Sequence, residues 1–272
     1  QWMGKGGYGG DINFRENAID PFITSAGLAP ITKNALLIAT VHILYGWHPL
    51  HLAKYGAVID HMSGGRWGLN VVTGYKESEF RMFGLDPIEH DKRYEMASEF
   101  TTIMQRLWSE DEELNFKGKW WQTNGAYVAP KPVNRSVVTV NAGSSPAGID
   151  YATEHSDIIF VTSPGGADPA DACRTLPAHI KKIRKSAREK KRRIKIMINP
   201  HVICRETEDE AWAQYNRILD QADPVALENF VATFMGGDQS SWKGHSKSNW
   251  AVGGNVHLVG TPEQIVDWFI KL

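Results

Sequence analysis

The apolar positions of this chain change period repeatedly, and the changes mark its elements. Leu36 to Ile43 is an apolar run of strand length, interrupted only by Thr40 and His42. From Pro49, residues Leu52, Tyr55, Val58, Ile59 and Met62 recur at helical spacing, and Gly64-Gly65 supply the stop. Trp67 to Thr73 is a strand with apolar residues on both faces, as expected of a strand buried between layers. A short helical segment from Lys76 to Phe83 ends at Gly84, and from about Asp91 a long helix carries Tyr94, Ala97, Phe100, Ile103, Met104 and Leu107 on one face. Further strands are expected at Val137–Val140, Ile158–Thr162 and Ile194–Cys204, with a small hairpin at FKGKWW.

Helix starts are written in the capping residues. Asp20-Pro21 opens a helix to about Leu28, Ser145-Pro146 another, and Thr207-x-x-Glu210 and Thr261-Pro262-x-Gln264 are capping boxes. Asp223-Pro224 breaks the helix that runs to about Phe234. Short apolar strands alternating with helices predict parallel βαβ units, either an open doubly wound sheet or a closed TIM-like (β/α)8 barrel. The opening GKGGYGGD lacks the dinucleotide fingerprint and follows no strand, so it reads as a loop and the barrel is favoured. Five or six strands are recognised, which implies that a first and a last strand lie outside residues 1–272. One barrel domain over 1–272 is expected, with an irregular insertion or lid at about 236–254.

Composition narrows the partners. The net charge of -1 gives no global attraction to nucleic acid, and the basic run HIKKIRKSAREKKRR carries an apolar stripe of Ile180, Ile183 and Ala187, as a solvated outer helix does. Cys173 and Cys204 show neither a disulfide pattern nor metal-ligand spacing, which points to a reduced, cytoplasmic setting. The longest apolar run, Ala35 to Trp47, is too short to cross a membrane.

Two places invite chemistry. Asn70 is an amide in a buried strand, so it is either a satisfied structural group or one aimed at a ligand. Gly143-Ser144-Ser145 ends a strand and opens a helix, which is either a phosphate cradle or an ordinary cap. Glu79, His90, Asp91 and Arg93 read as solvated charges in the loop joining two helices.

The segments SGGRWGLNVVTG, EHDKRYEMASEF, NFKGKWW…PKP, AGSSPAG and LVGTPEQIV resemble the bacterial luciferase-like flavin monooxygenases. Their nearest branch holds pyrimidine oxygenase and the dimethylsulfone, nitrilotriacetate and dibenzothiophene sulfone monooxygenases. The resemblance implies a TIM-like barrel that takes reduced FMN from a separate NAD(P)H:flavin reductase and inserts one oxygen atom of O2 into a small molecule. A sulfone, sulfonate, N-heterocycle or haloaromatic is the implied substrate. It implies that Asn70 and Thr40 stand at the reactive part of the flavin. Met3, Glu79, Arg93, Tyr94, Gly143, Ser144 and Ser145 are implied as further cofactor contacts. His48 is a candidate for shaping the substrate pocket, together with His42, His51, Tyr45 and Trp47. A homo-oligomer is implied as well. The competing expectations are a deazaflavin-dependent oxidoreductase on the same barrel and a non-catalytic flavin-binding protein.

Overall fold

Local capping chemistry sets the helix starts in the structure, a computed structural model that describes residues 3–44, 46–235, 246 and 249–272. The Asp20 carboxylate accepts from Phe22 N and Ile23 N, both at 2.9 Å, and opens α1 (Pro21–Leu28). After β1 (Leu37–His42), the imidazole of His48 caps α2 (Pro49–Ser63), which ends on Gly64 with φ 66°. Then follow β2 (Trp67–Val72), α3 (Glu77–Met82), α4 (His90–Ser109) and the antiparallel hairpin of β3 (Leu114–Lys117) and β4 (Gln122–Ala126). β5 (Val138–Asn141), α5 (Pro146–His155) and β6 (Ile158–Phe160) complete this half of the sequence. The remaining elements are α6 (Pro169–Glu189), β7 (Lys195–Met197), β8 (His201–Cys204), α7 (Glu208–Asp220), α8 (Pro224–Met235), α9 (Asn249–Val252), β9 (His257–Gly260) and α10 (Pro262–Lys271).

These elements fall into two units. The first, residues 18–159 with 190–195, contains parallel strands in the order β1-β2-β5-β6, with Thr40 opposite Asn70 and Asn70 opposite Val140. Its core is built where α2 and α4 cover the sheet: Leu52, Ala53, Leu69, Phe100, Ile103 and Met104 are all fully buried. Each of these side chains except the single methyl of Ala53 contributes roughly 1.5–3 kcal/mol by leaving water. The approach of α2 to β2 depends on Gly56, where a Cβ would stand 2.5 Å from the Trp67 ring. In β1 the burial alternates, with Ala39 and Val41 inside the helix layer and Thr40 exposed on the opposite face.

The second unit comprises residues 3–17, 160–189 and 196–272. β8 pairs in parallel with β9, from His201 opposite His257 to Cys204 opposite Gly260. Both capping boxes are present, with Thr207 accepting from Glu210 N and Thr261 from Gln264 N. The glycine-rich opening forms successive turns around a buried Tyr8, whose ring meets Phe230 edge-on at 5.1 Å. Gly7, at φ 57°, would place a Cβ 2.2 Å from Phe14 O.

Two expectations are corrected here. The single strand expected over Ile194–Cys204 is two, because Pro200 has no N–H for a ladder and β7 stops before it. Strand β9, four residues long, was not recognised in the sequence at all. The irregular stretch expected at 236–254 contains the helical turn α9, while 236–245, 247 and 248 lie outside the described residues.

Candidate active site

The first unit gathers most of the expected site residues at the carboxyl ends of β1, β2 and β5. Asn70, only 8% exposed, donates from Nδ2 to Thr40 Oγ1 at 3.3 Å, a contact that follows from their shared register. Its carbonyl oxygen Oδ1 is buried and has no hydrogen-bond partner among the described residues. An unsatisfied buried amide oxygen costs about 1–3 kcal/mol, so the fold does not gain by keeping it. Because Thr40 accepts from Asn70, its own hydroxyl proton is left to donate. The pair therefore sets a hydroxyl donor on the exposed Thr40 beside the buried acceptor of Asn70.

Two residues along β1, on the same face, His42 Nδ1 lies 2.8 Å from Glu79 Oε2. Both side chains are buried, Glu79 completely. Glu79 was expected among solvated loop charges; it stands instead inside α3, beside Lys76, whose ammonium is pushed below its ordinary value by burial against the opposing pull of Glu79. A one-and-a-half-turn helix is too short to show its buried face in the sequence pattern.

At the end of β5 the backbone turns sharply around Gly143. A Cβ there would lie 2.7 Å from Gly148 Cα and 2.9 Å from Tyr94 Oη. Ser145 caps α5 by accepting from Gly148 N at 3.1 Å, and Ser144 is half-buried beside it. Tyr94 comes from the first turn of α4, next to Arg93, and its ring packs 5.8 Å from that of Tyr151. Burial pushes the Tyr151 phenol up, and its oxygen is bonded to Thr101 at 2.6 Å. Tyr94, Gly143, Ser144 and Ser145 thus meet at one helix start, and the helix dipole there favours negative charge.

Asn141 was not singled out in the sequence, yet it ties these two places together. Buried to 3% exposure, it donates from Nδ2 to Val71 O at 2.8 Å and accepts at Oδ1 from Gly143 N at 2.7 Å. One side chain thus connects the residue after Asn70 to the turn that opens α5. The only sequence signal was a second amide at a strand end.

His48 is held elsewhere in this unit. Its Nδ1 accepts from Leu50 N at 3.2 Å, and its ring meets Trp121 edge-on at 5.7 Å and His51 at 6.1 Å. Burial, with His51 nearby, holds its pKa below the ordinary histidine value. It lines a cavity of about 600 Å³ with Leu44, Trp47, Ile88, Met96 and Trp121. Among the described residues, no hydrogen bond or ring contact joins His48 to Thr40 or Asn70. Tyr45 lies outside the described residues. Met3 belongs to the second unit, in an apolar cluster with Tyr8, Phe230, Val231 and Trp250. Among the described residues, no group of three or more His, Cys, Asp or Glu could hold a metal ion.

A parallel α/β scaffold with polar side chains on its strands and a capped helix opening directly after β5 has the layout of an α/β enzyme. The chain belongs to the luciferase-like monooxygenase family, whose model matches residues 4–272. It is 32% identical to the FMNH2-dependent dimethylsulfone monooxygenase of Pseudomonas putida, over 98% of this chain and 72% of that one. It is 30% identical to a pyrimidine monooxygenase of Allorhizobium ampelinum, over 95% and 71% of the two chains. Among solved structures, a long-chain alkane monooxygenase superposes with TM-score 0.81 at 25% identity, covering 93% of this chain and 65% of that one. A riboflavin lyase bound to modified FMN superposes with TM-score 0.80 at 26% identity, covering 93% and 66%. The chain therefore spans about two thirds of the length of these solved relatives, and its fold is the luciferase-like, TIM-barrel-type α/β fold.

Proposed function

We propose that this chain is a two-component, FMN-dependent monooxygenase, with residues 1–272 forming one luciferase-like domain. The observation that carries the reading is the buried Asn70 Oδ1, unpartnered among the described residues, beside a Thr40 hydroxyl with a proton to donate. That donor and acceptor fit the edge of a reduced flavin ring, which carries both a carbonyl and an N–H. The reading assigns ring contacts to Thr40 and Asn70, and the phosphate to Gly143, Ser144 and Ser145 at the α5 start. Tyr94 and Arg93 flank that end; Glu79 acts through its bond to His42. The nearby relatives named FMNH2-dependent support the cofactor choice.

When bound, reduced FMN supplies the electrons that split dioxygen, one atom going to the substrate and the other to water. Thr40 and Asn70 orient the ring edge, and their fixed dipoles need no reorganisation as charge develops there. A separate NAD(P)H:flavin reductase supplies the reduced cofactor, and the substrate is a small organic molecule. The family resemblance extends the reading to a homo-oligomer working in the cytoplasm. Among the described residues, no helix is long and apolar enough to cross a membrane.

The test combines the chain with FMN, a flavin reductase, NADH and 18O2 and scores a panel of sulfones, N-heterocycles and haloaromatics by mass spectrometry. One labelled oxygen atom per product molecule is expected. Binding of reduced deazaflavin without binding of reduced FMN would overturn the assignment. The deazaflavin-dependent structures that superpose on the chain are 19% and 17% identical and speak to the fold alone.

A further inference from the structure

The cavity beside His48 begins two residues beyond β1, since Leu44 and the Gly46–His48 segment line it directly after His42. In parallel α/β folds, the carboxyl ends of the strands are where ligands collect. Its volume of about 600 Å³ suits a small molecule. Its aromatic walls are held in place from behind. Trp121 Nε1 donates to Met96 O at 3.1 Å while its ring meets Phe100 edge-on at 5.2 Å. Trp47 packs on Phe22 at 4.8 Å and on Tyr55 at 6.0 Å.

The polar lining is as informative as the apolar one. His48 Nδ1 is occupied as acceptor by the Leu50 N–H, so the neutral ring carries its proton on Nε2. Burial and the neighbouring His51 hold its pKa below the ordinary histidine value, which disfavours the charged ring. The neutral ring offers a hydrogen bond but no positive charge. Among the described residues, neither Lys nor Arg lines the cavity, and Asp86 is the one acidic residue there. An anionic ligand would lose hydration and meet a like charge without a compensating cation.

We propose that this cavity is the substrate site of the oxygenase, and that it selects an uncharged apolar or aromatic molecule bearing one hydrogen-bond acceptor for His48 Nε2. The inference rests on the monooxygenase reading and sharpens it. Neutral sulfones and heterocycles are admitted, whereas sulfonates and polycarboxylates are rejected.

Methyl phenyl sulfone and benzenesulfonate share a ring and differ in charge, so they separate the two classes. Each is titrated calorimetrically into the flavin-free full chain, and again in the presence of FMN. The sulfone is expected to bind at least about tenfold more tightly than the sulfonate. Ile88→Trp fills the cavity from a loop and is expected to weaken the sulfone by about tenfold or more. His48→Asn keeps a good helix cap while removing the imidazole donor, and is expected to cost about three- to tenfold. Equal or tighter binding of benzenesulfonate, unchanged sulfone binding in Ile88→Trp, or no sulfone binding to the wild-type chain under either condition overturns the proposal. Sulfone binding that Ile88→Trp abolishes, in a chain that does not bind reduced FMN, would leave the cavity assignment standing and remove the flavin reading. FMN binding with Ile88-independent sulfone binding would do the reverse.

Discussion

Asn70 in the first unit and Asn255 in the second are both nearly inaccessible amides, 8% and 4% exposed, but they are satisfied differently. Asn255 donates to Asn199 Oδ1 at 2.8 Å and accepts from Val256 N at 2.9 Å, so both ends are engaged. His257 beside it is equally complete: Nδ1 faces Tyr215 Oη at 3.2 Å and Nε2 donates to Gly253 O at 2.8 Å. Asn70 engages only its amino group. A polar network that closes on itself holds a fold together, whereas one left open by a single atom carries a cost that a ligand or an ordered water relieves. Burial alone does not separate the two roles; hydrogen-bond capacity does.

The largest effect expected from this contrast is on chemistry. Asn70→Leu should lower oxygen transfer by more than about a hundredfold, the range seen when one preorganised polar group is lost. Turnover within about threefold of wild type in an 18O2 assay would take Asn70 out of the mechanism. A smaller, more selective effect is expected at Asn141, whose amide is satisfied but reaches from Val71 to Gly143. Asn141→Ser is too short to bridge them and should weaken FMN about tenfold while leaving riboflavin, which lacks the phosphate, within about twofold. Equal weakening of both flavins would make Asn141 a general structural residue.

The smallest effect concerns the closed network. His257 is held below its ordinary pKa, first by burial and then by His201, against the opposing effect of the Gly253 carbonyl. His201 is lowered by burial as well. Below about pH 6.5 the unfolded chain takes up protons that these folded imidazoles refuse, so stability is full above that value and declines as pH falls toward the depressed folded pKa. Urea unfolding should lose under about 1 kcal/mol between pH 7 and pH 6 from this group, with a shallower slope in His257→Gln. An unchanged slope in that variant would show that His257 does not titrate differently on folding.

Much of the fold was legible because its signals are local. Asp20-Pro21, Ser145-Pro146, Thr207 with Glu210 and Thr261 with Gln264 start helices where their side chains can reach the first free N–H groups. What escaped depends on distance in sequence. β9 is a four-residue strand defined by its pairing with β8, more than fifty positions earlier. Glu79 is buried against His42, 37 positions away. Asn70 was recognisable as an amide in a buried strand, but its open oxygen is visible only once the register sets Thr40 opposite its amino group. Asn141 matters through a carbonyl 70 positions back. Site residues held together by long-range hydrogen bonds leave little periodic trace.

The central claim is that Asn70 Oδ1 is kept unsatisfied for a ligand, and paired urea unfolding of two variants of the flavin-free chain tests it most directly. Leucine shares the branched outline of asparagine, so Asn70→Leu replaces an unsatisfied polar group without opening a cavity, whereas Asn255→Leu breaks a closed pair and strands Asn199 and the Val256 N–H. The account predicts that Asn70→Leu unfolds within about 0.5 kcal/mol of wild type or above it, while Asn255→Leu loses about 1–3 kcal/mol. An Asn70→Leu chain destabilised as much as Asn255→Leu would mean that Asn70 is a structural amide like its counterpart.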